Sequence, residues 1–391
     1  MSQPPLDGLI VLDFTHALAG PYCTMLMAAY GARVIKVESA TSPDMGRSWG
    51  PPFQGGESSF FLGLNGGKQS VTLNLKDPKD LALAKRLVAR ADVLMENFRP
   101  GTMSRLGLGY EQLAVDNPRL IYVSISGYGQ TGPRHMEPAM DLIVQASSGL
   151  MSATGTAAGE TVRCAHSVAD ISAGMFALTG ALMALEARHK TGRGQFVDVS
   201  MLDSLVSAMA SNYATFLGSG VVPTPLGTAF STIVPYRNFS CADREISIAV
   251  ASDKLWATFC VAIDRPDFAT DERYGTNALR VKNRAVLEPE LMLMFLGKSA
   301  AYWVDRLGRS GVPVSLVRNM AEVVADQHST ERALFPEVEH EKAGKIRVTG
   351  LPVKFSDTPG KVGSGAPQLG RDTDAVLEDL LGDGSASNKL S

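Results

Sequence analysis

The chain has 391 residues, 45% of them hydrophobic and 20% charged, with a formal net charge of −3. That length exceeds one ordinary domain, and the composition excludes a generally disordered chain. The small negative charge, with no basic cluster interleaved with aromatics, excludes an electrostatic footprint for nucleic acid.

The first forty residues predict β-α-β. LIVLDF reads as a buried strand, GPYCTMLMAAYGA as a helix with Pro21 near its first turn and Gly31 as its stop, and RVIKVES as the second strand. The N-terminus lacks a basic n-region and its apolar run is cut by Asp13, so it reads as a strand and not a signal peptide. SVTLNL then alternates like a strand, DPKDLALAKRLVARA gives a helix, DVLMEN a strand, YEQLAVDNP a short helix and LIYVSIS a strand. Strands alternating with helices imply a mainly parallel sheet covered on both faces, with ligands at the carboxyl ends of its strands.

CAHSVADISAGMFALTGALMALEARHKTG follows, uncharged from Ile171 to Leu185, with Asp170 at its head. That apolar run is too short, and too rich in Gly, Ala and Ser, to predict a membrane span. GQFVDVSM is a further strand and DSLVSAMASNYATFLGSG a helix. VVPTPLGTAFSTIVPYRNF reads as a linker. REISIAVAS, DKLWATFCVAI, NRAVLEPELMLMFLGK, SAAYWVDRLGRSG and VPVSLVR give a second unit of strand, three helices and strand. The short strands of KIRVTGLPVKFS rejoin the first domain, and the polar tail from Gly382 is expected to be loose. The expected division is a large domain over 1–225, a small one over 226–329, and a returning segment over 330–391. The four cysteines, Cys23, Cys164, Cys241 and Cys260, form no C-x-x-C pair and read as free thiols of a soluble cytoplasmic protein.

Two glycine-bearing stretches end predicted strands. GYGQTG, Gly127 to Gly132, matches G-x-G-x-x-G but runs into PRHMEP, so no helix opens on it and the dinucleotide reading fails. ENFRPG offers Asn97, Phe98 and Arg99 at a strand end, equally a ligand edge or a polar turn. No Walker A, G-x-S-x-G or H-E-x-x-H occurs. The six histidines have no ligand spacing, so no metal is expected. His166 lies four residues before Asp170 in a predicted loop. Asp170 itself reads first as an N-cap. Free N–H groups and the helix dipole there favour the charged carboxylate, and an ionised, desolvated carboxylate can act as a nucleophile.

DFTHALAGP, SVTLNLK, ENFRPG, SGYGQTGP, QASSGLM and VADISAGMFALTGALMAL occur in one order. Together they resemble the class III CoA-transferases, the carnitine/formyl-CoA transferase family, most strongly from about Leu6 to Ser204. The resemblance implies an α/β fold: a Rossmann-like large domain built from both ends of the chain, a smaller α/β domain between, and an interlocked, ring-like homodimer. It implies that Asp170 is the nucleophile, forming mixed-anhydride and aspartyl-CoA thioester intermediates between an acyl-CoA donor such as succinyl-CoA and a carboxylate acceptor. It carries CoA contacts to Ala17, Ala19, Leu73, Lys76, Asn97, Phe98 and Arg105, the two cations suiting phosphates.

There are departures from the family pattern. The formyl-CoA branch carries Gln where Leu18 stands and an adenine-packing Arg where Ser39 stands. Its four-glycine loop is absent from VPYRNFSCADRE. These differences point away from oxalate or formate and towards succinate, malate, mesaconate or glutarate-type acids. His16 and Arg47, beside matched motifs, are the candidates for an acceptor's distal carboxylate. The rival from the same fold is 2-methylacyl-CoA racemase, which pairs the Asp with a His in a Gly-His-Asp triplet. Here that triplet is Ala139-Met140-Asp141, without the second proton carrier. A catalytically silent CoA-binding protein is the rival from another class.

Overall fold

The fold is taken from a computed structural model that describes residues 3–382. The polar tail beyond Gly382 lies outside the described residues. The chain divides into two compact units, one of residues 1–150, 164–221 and 327–391, the other of 151–163 and 222–326. Residues 151–163, read from sequence as part of the large domain, belong instead to the second unit. A Gly155–Thr161 bridge closes them into a hairpin, and the Gly227 N–H donates to the Gly155 carbonyl.

The first unit is built on six strands: β1 (Ile10–Asp13), β2 (Arg33–Glu38), β3 (Gln69–Thr72), β4 (Val93–Glu96), β5 (Ile121–Ser126) and β6 (Phe196–Ser200). They pair in parallel throughout, in the order β3-β2-β1-β4-β5-β6. This is the doubly wound order, which reverses between β1 and β4.

Period-two alternation gives the sheet a core on each face. Val11, Val34, Val93, Met95, Ile121 and Val123 face α1 (Ala19–Ala29) and a long helix, and Leu12, Ile35, Val71, Leu94 and Tyr122 face the other side. That second face is closed by α2 (Pro78–Val88), whose Asp77 cap accepts from the Lys79 N–H, and by the C-terminal helix Thr373–Leu381 through Val376 and Leu377. The C-terminal helix had no counterpart among the predicted elements.

A short helix, α3 (Asp141–Ser147), precedes the long helix, α4 (Val168–Thr191). At 24 residues, α4 is by length and composition long and apolar enough to cross a bilayer, contrary to the estimate from the Ile171–Leu185 run. Its inward stripe is Ala169, Ala173, Ala177, Ala181 and Ala184, packed in the first unit's core. Its outward face carries Met175, Phe176, Leu182 and Met183, 54%, 42%, 41% and 67% exposed. Small residues inside and large apolar residues outside invert the usual amphipathic pattern.

The second unit has a three-stranded antiparallel sheet of Tyr236–Ser240, Glu245–Ala249 and Val314–Leu316. Helices Asp253–Ala262, Arg284–Phe295 and Ala300–Arg309 bury Trp256, Phe259, Leu291, Phe295 and Trp303 in its own core. The predicted helix over Asp203–Gly220 is two helices, Met201–Ala208 and Ala210–Ser219, broken at Met209.

Candidate active site

The strand order reverses between β1 and β4, so the loops that leave these two strands flank the natural ligand crevice. Asn97 ties them together. Its Oδ1 accepts from the His16 N–H at 2.8 Å and its Nδ2 donates to the His16 carbonyl at 2.9 Å. The rings of His16 and Phe98 meet edge-on at 5.3 Å. Ala17 sits at φ 63°, a left-handed conformation costly for a residue with a Cβ. Its N–H is held by Asp44 Oδ1 at 2.9 Å, an acceptor shared with the Gly46 N–H.

Beneath this loop lies a buried charge network that the sequence reading did not find. Asp13 Oδ2 meets Lys68 Nζ at 2.9 Å and the Thr24 hydroxyl at 2.7 Å, while its Oδ1 takes the Thr15 N–H. Lys36 Nζ donates to the Thr15 carbonyl at 2.6 Å and pairs with Asp44 at 2.9 Å. Glu38 takes Arg47 in a two-pronged pair at 2.8 and 2.7 Å. Against the penalty of burial, Lys68 and Lys36 hold Asp13 well below the usual carboxylate range, and burial brings Lys68 down to about 8. The available signal was Asp13, Lys36 and Glu38 inside strands otherwise read as buried.

Arg47 was expected to bind an acceptor's carboxylate, but its guanidinium already holds Glu38, donates to the Pro367 carbonyl and stacks over Phe61 at 3.9 Å. A side chain so engaged supports the β2 edge.

Asp170 is not the N-cap of α4. Ser167 holds the cap position without a side-chain bond, and Asp170 is the third helical residue. The capping carboxylate comes from Asp141 on α3, whose Oδ1 accepts from the Ala169 N–H at 2.9 Å. Its Oδ2 accepts from Gln145 Nε2 at 2.7 Å, and Gln145 Oε1 accepts from the Cys164 N–H at 2.8 Å. Asp141 and the fully buried Gln145 thus brace the loop into α4 at both ends. His166, in that loop, lies 3.1 Å from the Cys164 sulfur.

The expected ionisation is also revised. Burial, and then the charge of Asp141, push the half-buried Asp170 up to about 7. No hydrogen bond reaches its carboxylate among the described residues, so desolvation outweighs the helix N-terminus here.

One turn after Asp170, Gly174 lets α4 press on α1: a Cβ there would lie 2.6 Å from the Ala19 carbonyl oxygen. That approach sets Asp170 one turn from the start of α1, on the same face of α4. His16, Ala17, Ala19, Asn97, Phe98 and the first turn of α4 are therefore gathered at one edge of the sheet. Leu73 is buried in the core below β3. Lys76 and Arg105 are exposed, the Arg105 guanidinium donates to the Thr102 hydroxyl, and among the described residues no hydrogen bond or ion pair joins either to the rest. Among the described residues no group of His, Cys, Asp or Glu is disposed to hold a metal.

A model of CoA-transferase family III matches residues 6–373. The chain belongs to that family. It is 38% identical over 96% of its length to succinyl-CoA:glutarate CoA-transferase of Homo sapiens, covering 86% of that protein. It is 40% identical to acetyl-CoA:oxalate CoA-transferase of Acetobacter aceti, over 93% of each chain. A CAIB/BAIF family protein from Brucella suis superposes with a TM-score of 0.86 at 33% identity, over 97% of this chain and 100% of that one.

In this family III CoA-transferase, Asp141→Asn tests the charge that acts on Asp170. The pH at which the Asp170 carboxyl ionises, followed by carboxyl carbon NMR, should fall by on the order of one unit. Burial would keep it above the ordinary Asp value. An unmoved midpoint in that NMR titration would show that Asp141 does not act on the ionisation of Asp170.

Proposed function

We propose that this enzyme moves CoA from an acyl-CoA donor, succinyl-CoA being the candidate, to a dicarboxylic acid acceptor through covalent intermediates on Asp170. The observation that carries the reading is Asp170 itself. It is a half-buried carboxylate in the first turn of α4, one turn from the contact with the start of α1, in a chain of this family.

The ionised Asp170 attacks the donor's thioester carbonyl, the C–S bond breaks, and CoA leaves as a thiolate with the electron pair. The product is a mixed anhydride. The thiolate attacks the aspartyl carbonyl, expels the donor carboxylate and leaves an aspartyl-CoA thioester. The acceptor carboxylate attacks that carbonyl and frees the thiolate again. The thiolate then takes the acceptor's acyl carbon and restores Asp170. Every step exchanges one activated acyl bond for another, so no nucleotide is consumed. A hydroxyl or thiol nucleophile could not carry CoA on an enzyme carboxyl. Ala17, Ala19, Leu73, Lys76, Asn97, Phe98 and Arg105 are proposed to contact CoA, and His16 the acceptor.

Mass spectrometry after mixing with succinyl-CoA and trapping with hydroxylamine or borohydride tests this. A modification localised to Asp170 is expected. An unmodified Asp170 with several acyl-CoA donors would overturn the covalent route.

We further propose a homodimer, with the outward face of α4 covered by the second copy. Four large apolar side chains on one helical face make a patch of the kind monomers seldom leave open. Light scattering at micromolar concentration should give twice the chain mass, and a monomer would refute it.

A further inference from the structure

Glu96, the last residue of β4, is 6% exposed and makes no ion pair among the described residues. Its Oε2 accepts from the Phe98 N–H at 2.8 Å, and its Oε1 accepts from the Ser124 hydroxyl. Ser124 Oγ in turn accepts from Gln130 Nε2 at 2.9 Å. The amide supplies the hydrogen of that bond, so the one hydroxyl hydrogen of Ser124 goes to Glu96. Gln130 belongs to the GYGQTG loop, and its own N–H donates to Asp198 Oδ2 on β6 at 3.0 Å. One run of hydrogen bonds therefore joins the carboxyl ends of β4, β5 and β6. It ties the glycine loop, which the transfer chemistry leaves unused, to the Asn97–Phe98 loop.

We propose that Glu96 is a positioning residue for acyl-CoA: as a carboxylate it holds both loops in the binding geometry, and uptake of a proton loosens them. The inference rests on the reading that Asn97 and Phe98 contact CoA. A protonated Glu96 keeps one oxygen as acceptor and turns the other into a donor, so Ser124 must accept twice, from Glu96 and from Gln130, and its own buried hydroxyl hydrogen loses its partner. Burial sets the transition in the working range, pushing Glu96 up to about 7.

The surrounding groups do not replace it. Tyr122 on β5 is pushed far up by burial and by Glu96. Burial and then Lys36 lower His16, across the Phe98 ring. Asp198 is raised by burial, and Asp13 on β1 is held low by Lys68 and Lys36 despite burial. None of these donates to Glu96.

The test is calorimetric binding of coenzyme A to the full chain carrying Asp170→Ala, which removes the nucleophile's own titration, with and without Glu96→Gln. Gln has one accepting oxygen, so it imitates the protonated state at every pH. The ratio of the two dissociation constants cancels the ionisation of the ligand's phosphates. It should be roughly fivefold or more at about pH 8 and approach one at about pH 6. A ratio of one throughout, or one that does not change with pH, overturns the proposal.

Ser124→Ala keeps the charge but removes one donor, so the pH midpoint of affinity should rise. If Glu96→Gln does not fold, an unmoved midpoint in Ser124→Ala overturns the proposal. If the Asp170→Ala parent binds no coenzyme A at any pH, the CoA reading itself falls and this inference with it. Failure at Glu96 alone leaves the parent's binding intact.

Discussion

Asp170→Asn should abolish CoA transfer, with kcat lowered by at least about 10³-fold, as expected when a nucleophile is removed. Asn keeps the size and a carbonyl oxygen but offers no anion to attack the thioester. No residue donates a hydrogen bond to the Asp170 carboxylate among the described residues, so the change strands no donor. Removing a charge whose pKa is raised by burial also relieves desolvation, so the variant should be at least as stable as the parent. Lost turnover with thermal unfolding unchanged or raised, measured side by side, separates a nucleophile from a structural carboxylate. Turnover within tenfold of the parent would sink the assignment. In the parent the acid limb of kcat/KM should fall near pH 7, since the proposed attacking form is the carboxylate and burial pushes Asp170 up to about 7. Activity therefore rises as pH rises through that value.

Lys68→Met should destabilise the first unit by about 3–5 kcal/mol, the cost of leaving a buried carboxylate without its cation. Lys68 and Asp13 are both fully buried, and Lys68 Nζ also donates to the Pro21 carbonyl at 3.1 Å and Asn65 Oδ1 at 2.8 Å. Met fills the space of the stem but not these bonds. Asp13 also orders Thr15 and Thr24, so the β1 loop and the start of α1 should lose definition with it. Denaturant titration checks the stability. Exchange of the Thr15 and Ala17 amides with solvent checks the loop. A midpoint shift of under about 1 kcal/mol would show that the pair is replaceable by packing. The double change Asp13→Leu with Lys68→Met should recover part of the loss, because no charge is left unpaired.

The parallel sheet was legible because its strands are short apolar runs separated by helix signals, and buried parallel strands take that form. The order of the strands was not: nothing local in LIVLDF or DVLMEN says that they lie side by side. Asp170 was legible only as a carboxylate at the head of an apolar helix. Its cap role was assigned wrongly because the capping group, Asp141, is 28 residues from the N–H it serves. The same distance hid why Asp170 is hard to ionise. Arg47 looked available because Glu38, nine residues earlier, read as one more strand residue. Glu96 and Ser124 looked like ordinary strand ends until β4 and β5 were seen to pair.

The buried network below the β1 loop sets three anions, Asp13, Glu38 and Asp44, against three cations, Lys36, Lys68 and Arg47. Their fields cancel within a few ångströms, so an approaching polyanion feels almost nothing from them. Long-range attraction of a phosphorylated ligand is then left to exposed cations such as Lys76 and Arg105. Those act through water and are screened over about 10 Å at ordinary ionic strength. The rate of ligand capture should accordingly respond to salt, while the geometry of the β1 loop should not.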